Sequence, residues 1–311
     1  MPLVCPHCSR TNSGDARYCY FDGASLLGSS GPPEAARKTF LAPFVFPTGE
    51  TCNTFDEFAH GCQRHWNVAV ELLHKGYVQK FFGGLGRLDL AQAAQEAAAF
   101  PDRERGLDQF LSRLPAGNLS LPKLDVQPKL INLGNLKVGS ASEFELNLEN
   151  LGSRLIFGSV SSSCKWLAPT ESGESKLFQF RDSTAIPIQI KGQHLRGAVK
   201  PLEATLMVES NAGTFKLKVL ANVPILPFPE GVLAGAKTPR EIAEKARLAP
   251  KQAAPLFESG AVANWYRDNG WIYPVQGPAS NGLAAVQQFF EALGLSKPPK
   301  VTVNESYIRL T

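Results

Sequence analysis

Residues 142–149 read Ser-Glu-Phe-Glu-Leu-Asn-Leu-Glu. Phe144, Leu146 and Leu148 alternate with Glu143, Glu145, Asn147 and Glu149. Successive side chains on a strand point to opposite faces, so this alternation predicts a strand with one face buried and one in water. Runs of the same kind follow at 185–191, 204–209 and 214–220, with Asn211-Ala212-Gly213 as a hairpin turn between the last two. Short strands at this spacing predict an antiparallel β-sandwich over residues 121–224. Its single cysteine, Cys164, excludes an intradomain disulfide, and Trp166 reads as core.

On either side of that stretch the period changes. Thr54 and Glu57 form a capping box. Phe55, Phe58, Ala59, Cys62, Trp66, Ala69, Leu72 and Leu73 then recur at helical spacing until Gly76. Further short helices after Gly76 complete a small helical bundle over residues 50–117. Cys62 and His65 lie three apart on the first helix, but Cys62 falls on the apolar stripe, which favours a buried thiol over a metal ligand. Beyond the sandwich, 225–237 reads as a Pro/Gly-rich connection. Thr238 then caps a helix with Pro239 at its first position and Glu241 at its third. Three short helices form a C-terminal helical module over 238–295.

The N-terminus carries the one motif with inorganic chemistry. Cys5-Pro6-His7-Cys8 has the spacing of a zinc knuckle, two thiolates aimed at one centre. Cys19-Tyr20-Phe21-Asp22 repeats it with a carboxylate in the last place. A segment this short cannot bury enough apolar surface to fold alone, so a metal would supply its folding energy. The expectation is a zinc ribbon over residues 1–27 with Zn2+ held by Cys5, Cys8, Cys19 and Asp22. His7 and water are the alternatives for the fourth ligand. A Gly/Ser/Pro-rich linker follows at 28–49.

The chain of 311 residues, 43% hydrophobic and 19% charged, is long enough for several domains. The whole therefore reads as a multidomain α+β protein. A net charge of +4 without blocks of like charge gives no electrostatic footprint for nucleic acid. No run approaches the roughly 18 apolar residues of a membrane span. The start of the chain lacks the pattern of a secretory signal. Scattered cysteines suit a reducing compartment, so the expected location is the cytoplasm. No phosphate-binding loop, nucleophile elbow or His-Glu-x-x-His helix is present.

Three resemblances follow from these motifs. "GDARYCYFDG" is similar to the degenerate zinc ribbons that open many bacterial multidomain proteins, departing from them at Asp22. "INLGNLKVG" with "FELNLENLGSRLIFGSV" resembles the immunoglobulin-like sandwiches of the major-sperm-protein and cilia-associated superfamily. That likeness implies a binding or spacer module and brings no catalytic residues. The order of modules, with "PEGVLAGA" and "PLFESGAVANWY", resembles multidomain bacterial proteins of planctomycete type. Finally, "PKVTVNESYIRL" (299–310) matches the sandwich's opening "PKLDVQPKLINL" (122–133) without a gap. Residues 299–311 therefore read as the first strand of a second, truncated sandwich and as a route to self-association. The functional expectation is a non-enzymatic scaffold or adaptor that binds other proteins and no membrane. The alternatives are a nucleic-acid-binding zinc-ribbon protein, which the neutral ribbon disfavours, and the N-terminal part of a longer enzyme or regulatory protein.

Overall fold

The computed structural model describes residues 3–5, 10–14, 16, 19, 26, 39–170 and 175–296. The chain divides into two compact units, residues 1–120 and 121–311. The stretch 299–311, read above as a truncated repeat, lies outside the described residues.

In the first unit, β1 (Leu3–Val4) pairs antiparallel with β2 (Thr11–Asn12). A second hairpin joins β3 (Thr39–Val45) to β4 (Thr51–Thr54). Its turn is closed by Gly49 N–H donating to the Phe46 carbonyl at 2.9 Å and Phe46 N–H donating to Glu50 at 2.8 Å. Five helices follow: α1 (Phe55–Arg64), α2 (Trp66–His74), α3 (Tyr77–Gly84), α4 (Leu88–Ala98) and α5 (Arg103–Arg113). The Thr54 cap is present: its hydroxyl accepts from Glu57 N–H at 3.0 Å, and Glu57 reaches back to Asn53 N–H at 2.6 Å.

Two expectations change here. The stretch 28–49 is not linker throughout, because β3 begins at residue 39. Its Phe40, Phe44 and Phe46 stack edge-on into a cluster with Phe55, Phe58, Phe81, Phe82 and Phe110; Phe44 and Phe58 centroids are 4.9 Å apart, Phe58 and Phe82 5.4 Å. Each fully buried phenylalanine is worth roughly 1.5–3 kcal/mol, so the hairpin is part of the bundle's core. The single helix expected up to Gly76 breaks at His65 (φ −109°, ψ 44°), whose Nε2 lies 2.7 Å from Glu50 Oε2. Gly61 is required at the hairpin–helix contact: a Cβ there would stand 2.6 Å from the Phe46 ring.

The second unit opens with the sandwich. One sheet runs β5 (Leu124–Gln127), β7 (Ser142–Asn150), β11 (Ser183–Ile190), β9 (Leu167–Ala168). The other runs β10 (Lys176–Phe180), β8 (Ile156–Ser162), β12 (Leu202–Ser210), β13 (Gly213–Asn222), β6 (Leu130–Asn135). This is the strand order of an immunoglobulin-like sandwich. Pairing is antiparallel except that β6 runs parallel to β13. The opening stretch 122–133 is thus two strands in opposite sheets, interrupted at Pro128, which has no N–H to give a ladder. The alternation works as anticipated: Leu146 and Leu148 of β7 meet Ile186 and Ile188 of β11, Leu206 and Val208 of β12, and Trp166 in one core. The hairpin β12–β13 turns at Asn211-Ala212, with Ser210 opposite Gly213.

Four helices, one more than expected, make the C-terminal module: α6 (Pro239–Leu248), α7 (Pro250–Glu258), α8 (Ala261–Asp268) and α9 (Leu283–Ala292). Thr238 caps α6 through Glu241 N–H at 3.1 Å. The segment expected only to connect also contributes core residues, Phe228, Leu233 and Ala236.

One residue joins module to sandwich. Asn269 is fully buried (0% exposed). Its Oδ1 accepts from Leu226 N–H at 2.8 Å, its Nδ2 donates to the carbonyls of Leu226 (3.2 Å) and Trp265 (3.0 Å), and its own carbonyl accepts from Gly197 N–H at 2.8 Å. Gly270 beside it has φ +71°, and a Cβ there would sit 2.1 Å from the Leu195 carbonyl oxygen. Asn269→Ala removes a fully buried amide and takes away the acceptor of the Leu226 N–H, so the second unit should lose about 1–3 kcal/mol. The exposed control Asn264→Ala should stay within about 0.5 kcal/mol. Urea unfolding of the two variants checks this.

Candidate functional site

Of the four residues expected to hold zinc, the described residues include Cys5 and Cys19; Cys8 and Asp22, with the alternative ligand His7, lie outside them. Cys5 and Cys19 are 1% and 4% exposed, deep burial for so short a segment. Cys5 follows β1, and its N–H donates to the Arg10 carbonyl at 2.9 Å. Buried Asn12 on β2 points its Nδ2 at Cys19 Sγ, 3.5 Å away, and also donates to the Arg10 carbonyl at 3.0 Å. An N–H directed at sulfur favours the thiolate form that a metal needs. Among the described residues no three His, Cys, Asp or Glu side chains gather into a metal-holding group.

The second cysteine pair has the opposite character. Cys52 of β4 and Cys62 of α1 are both buried, and Cys52 Sγ donates to the Glu57 carbonyl at 3.4 Å. Burial pushes the Cys52 thiol up to about 11, with the charges of Glu50 and Glu57 adding to the rise. Burial likewise holds Cys62 well above the ordinary thiol range, with Cys52 and Glu50 contributing. His65 does not join Cys62; it pairs with Glu50, which Arg64 also holds. The Arg64 contact, followed by that of His65, keeps the Glu50 carboxyl below its usual range. The two thiols are packing groups. At pH 8 a thiol titrating near 11 is only about one part in a thousand thiolate. Iodoacetamide should therefore leave Cys52 and Cys62 unmodified in the native chain and label both in urea, as read by peptide mass spectrometry.

The first unit also presents an apolar groove of about 760 Å³. Val45 and Pro47 of the β3–β4 hairpin form one wall, Val68 and Leu72 of α2 the other, and Tyr77 closes one end. Val45 is 56% and Tyr77 54% exposed, high values for side chains of this type. At the rim Glu71 is bridged to Lys75 at 3.4 Å and to Arg103 at 3.2 Å, leaving one net positive charge. From Asn67 on α2 to its C-cap residue Lys75 the chain runs about 12 Å along the groove at 1.5 Å per residue. Val68 and Leu72 are spaced i, i+4 beside the main stripe of Trp66, Ala69 and Leu73, and that second stripe was the readable signal in the sequence. The hairpin wall had none, because Pro43 and Pro47 mask the strand pattern and its phenylalanines find their core on helices distant in sequence.

No family model matches the chain, and no curated protein matches it. Solved structures that match cover about a third of it. A protein of unknown function from Porphyromonas gingivalis W83 is 16% identical over 32% of this chain and 46% of its own, with a TM-score of 0.26. PapD-like domain 7 of human CEP192 is 20% identical over 32% of this chain and 84% of its own, with a TM-score of 0.25. WR4, a C. elegans MSP family member, is 11% identical over 32% and 99%, with a TM-score of 0.24. At these values the neighbours bring no functional argument. Among the described residues no helix is long and apolar enough to cross a membrane.

Proposed function

We propose that this chain is a non-enzymatic scaffold or adaptor that binds another protein through the groove on its first unit. The supporting observation is the groove itself: an open, apolar, two-walled trough with half-exposed Val45 and Tyr77 at its edge. Surface apolar residues gathered in one concavity mark interaction sites more often than scattered ones do. The occupant that fits is a short amphipathic helix from a partner protein, two to three turns long. Its apolar residues at i, i+4 and i+7 would lie between Val45 and Leu72, and a carboxylate beside them would meet Lys75. Selection of peptides on the whole chain from a library of helical sequences tests this. Binders should share that spacing and an acidic flank, and Leu72→Asp should weaken them at least tenfold, about 1.4 kcal/mol. Binders indifferent to Leu72→Asp would overturn the reading.

The N-terminal segment would act as a zinc-stabilised docking module on the same chain. Cys5, Cys8 and Cys19 with Asp22 would hold the ion, whose contribution is folding energy rather than reaction chemistry. Elemental analysis should find about one zinc per chain. Asp22→Cys should tighten binding, because a thiolate suits zinc better, and Asn12→Leu should weaken it by removing the amide beside Cys19. Self-association through 299–311 belongs to the same proposal, with β5 or β10, two of the four strands that end the sandwich's sheets among the described residues, as acceptor. Deleting 299–311 should lower the scattering mass without lowering the melting temperature.

A further inference from the structure

The second unit holds a cavity of about 470 Å³ at one end of the sandwich. It lies between the segment that follows β8 and the segment that links β11 to β12. Lys165 reaches it from the first segment, and Arg196 and Lys200 from the second, with His194 beside them. Glu203 is the one carboxylate in the lining, and it is engaged by Lys218 at 3.0 Å. Among the described residues, Lys165, Arg196 and Lys200 make no ion pair, as is also true of Lys80, Lys129 and Lys216 elsewhere; what sets the three apart is that they line one concavity.

The cationic heads are exposed, but the backbone beside Arg196 and Lys165 is fixed. On one side of Arg196, Leu195 is buried. On the other, Gly197 N–H donates to the Asn269 carbonyl at 2.8 Å and the Gly197 carbonyl accepts from Trp271 Nε1 at 2.9 Å. Ala198 N–H donates to the Val223 carbonyl at 2.9 Å. Lys165 is carried next to Trp166, which is packed in the sandwich core and whose carbonyl accepts from Lys191 N–H at 2.8 Å. Three like charges around one concavity repel one another, and their field adds inside it. An anion bound in the concavity would relieve that repulsion.

We propose that this cavity binds a phosphate group carried on a small organic ligand. A phosphate dianion matches a cluster of one guanidinium and two ammonium groups. The guanidinium takes two oxygens as a planar fork and the ammonium groups act as point charges. The cavity exceeds what a bare phosphate fills and lies in the range of small-molecule sites. The rest of its lining, Trp166, Ala198, Pro201 and Leu202, suits an apolar moiety attached to the phosphate. The site is independent of the groove on the first unit.

Calorimetric titration of the whole chain at low ionic strength tests the assignment, with inorganic phosphate, phenyl phosphate and benzoate as probes. Phenyl phosphate should bind at least fivefold more tightly than inorganic phosphate, and benzoate more weakly than either. Arg196→Gln and Lys200→Gln should each weaken phenyl phosphate about tenfold, a loss of about 1.4 kcal/mol. Lys216→Gln, an exposed lysine on β13 outside the cavity, should change nothing. Melting curves of the variants establish that they fold. No binding of either phosphate at about 10 mM, a level corresponding to only some 3 kcal/mol, overturns the site. Equal losses in Lys216→Gln reduce it to general surface charge and overturn it too. Equal affinity for the two phosphates overturns the organic ligand.

Discussion

The second unit is organised by the burial of one amide. Asn269 ties together three stretches far apart in sequence: the β11–β12 link at Gly197, the chain leaving β13 at Leu226, and helix α8 at Trp265. Trp265 Nε1 donates to the same Leu226 carbonyl at 2.7 Å, and Trp271 Nε1 closes on Gly197. Polar groups inside a protein are expensive unless every one finds a partner. These bonds are therefore a positional constraint: sliding the helical module along the sandwich would orphan several donors at once. Apolar packing between the two parts would tolerate a shift of a few ångströms, and this network does not. The Leu195–Ala198 segment inherits that rigidity, and with it the placing of Arg196.

The features legible in the sequence were those whose cause is local. Alternation at 143–149 was enough to place β7, because the period of a strand needs no knowledge of its neighbours. Both capping boxes were readable, since Thr54 with Glu57 and Thr238 with Glu241 act within one turn. What escaped was decided by tertiary contacts. Residues 39–49 hold Pro43 and Pro47 and look like linker, yet Phe40, Phe44 and Phe46 find a core only because α1 and α3 supply its other side. The break at His65 depends on Glu50, fifteen residues away. The parallel pairing of β6 with β13 joins residues nearly ninety apart, which no window of sequence displays.

The candidate sites divide in the same way. The knuckle spacing at Cys5, Cys8 and Cys19 was readable because ligand spacing is a local requirement; of these, the described residues show Cys5 and Cys19 buried, with Asn12 beside Cys19. Cys62 and His65 share a helix and three-residue spacing, but the thiol turns into the phenylalanine-rich core while the imidazole turns to Glu50. Spacing alone does not decide which face of a helix a side chain serves. The cavity had almost no sequence signature and the groove only that of one wall, the i, i+4 pair Val68 and Leu72, since each is lined from segments that become neighbours only in the fold.

The distribution of charge separates the cavity from the rest of the surface. Glu50, Glu71, Asp89, Glu96, Glu203 and Glu244 each lie against an arginine or lysine. Such exposed pairs add little stability, because water screens them and their side chains lose freedom. Their effect is to flatten the electrostatic surface, which suits a groove that recognises an apolar partner. Lys165, Arg196 and Lys200, unpaired like Lys80, Lys129 and Lys216, differ from those in lining one concave place, where low-dielectric walls weaken screening and field lines concentrate. A chain with a net charge of +4 could have met its solubility needs with those cations scattered. Gathered on a frame clamped by Asn269 and Trp271, they form an arrangement that folding alone does not require.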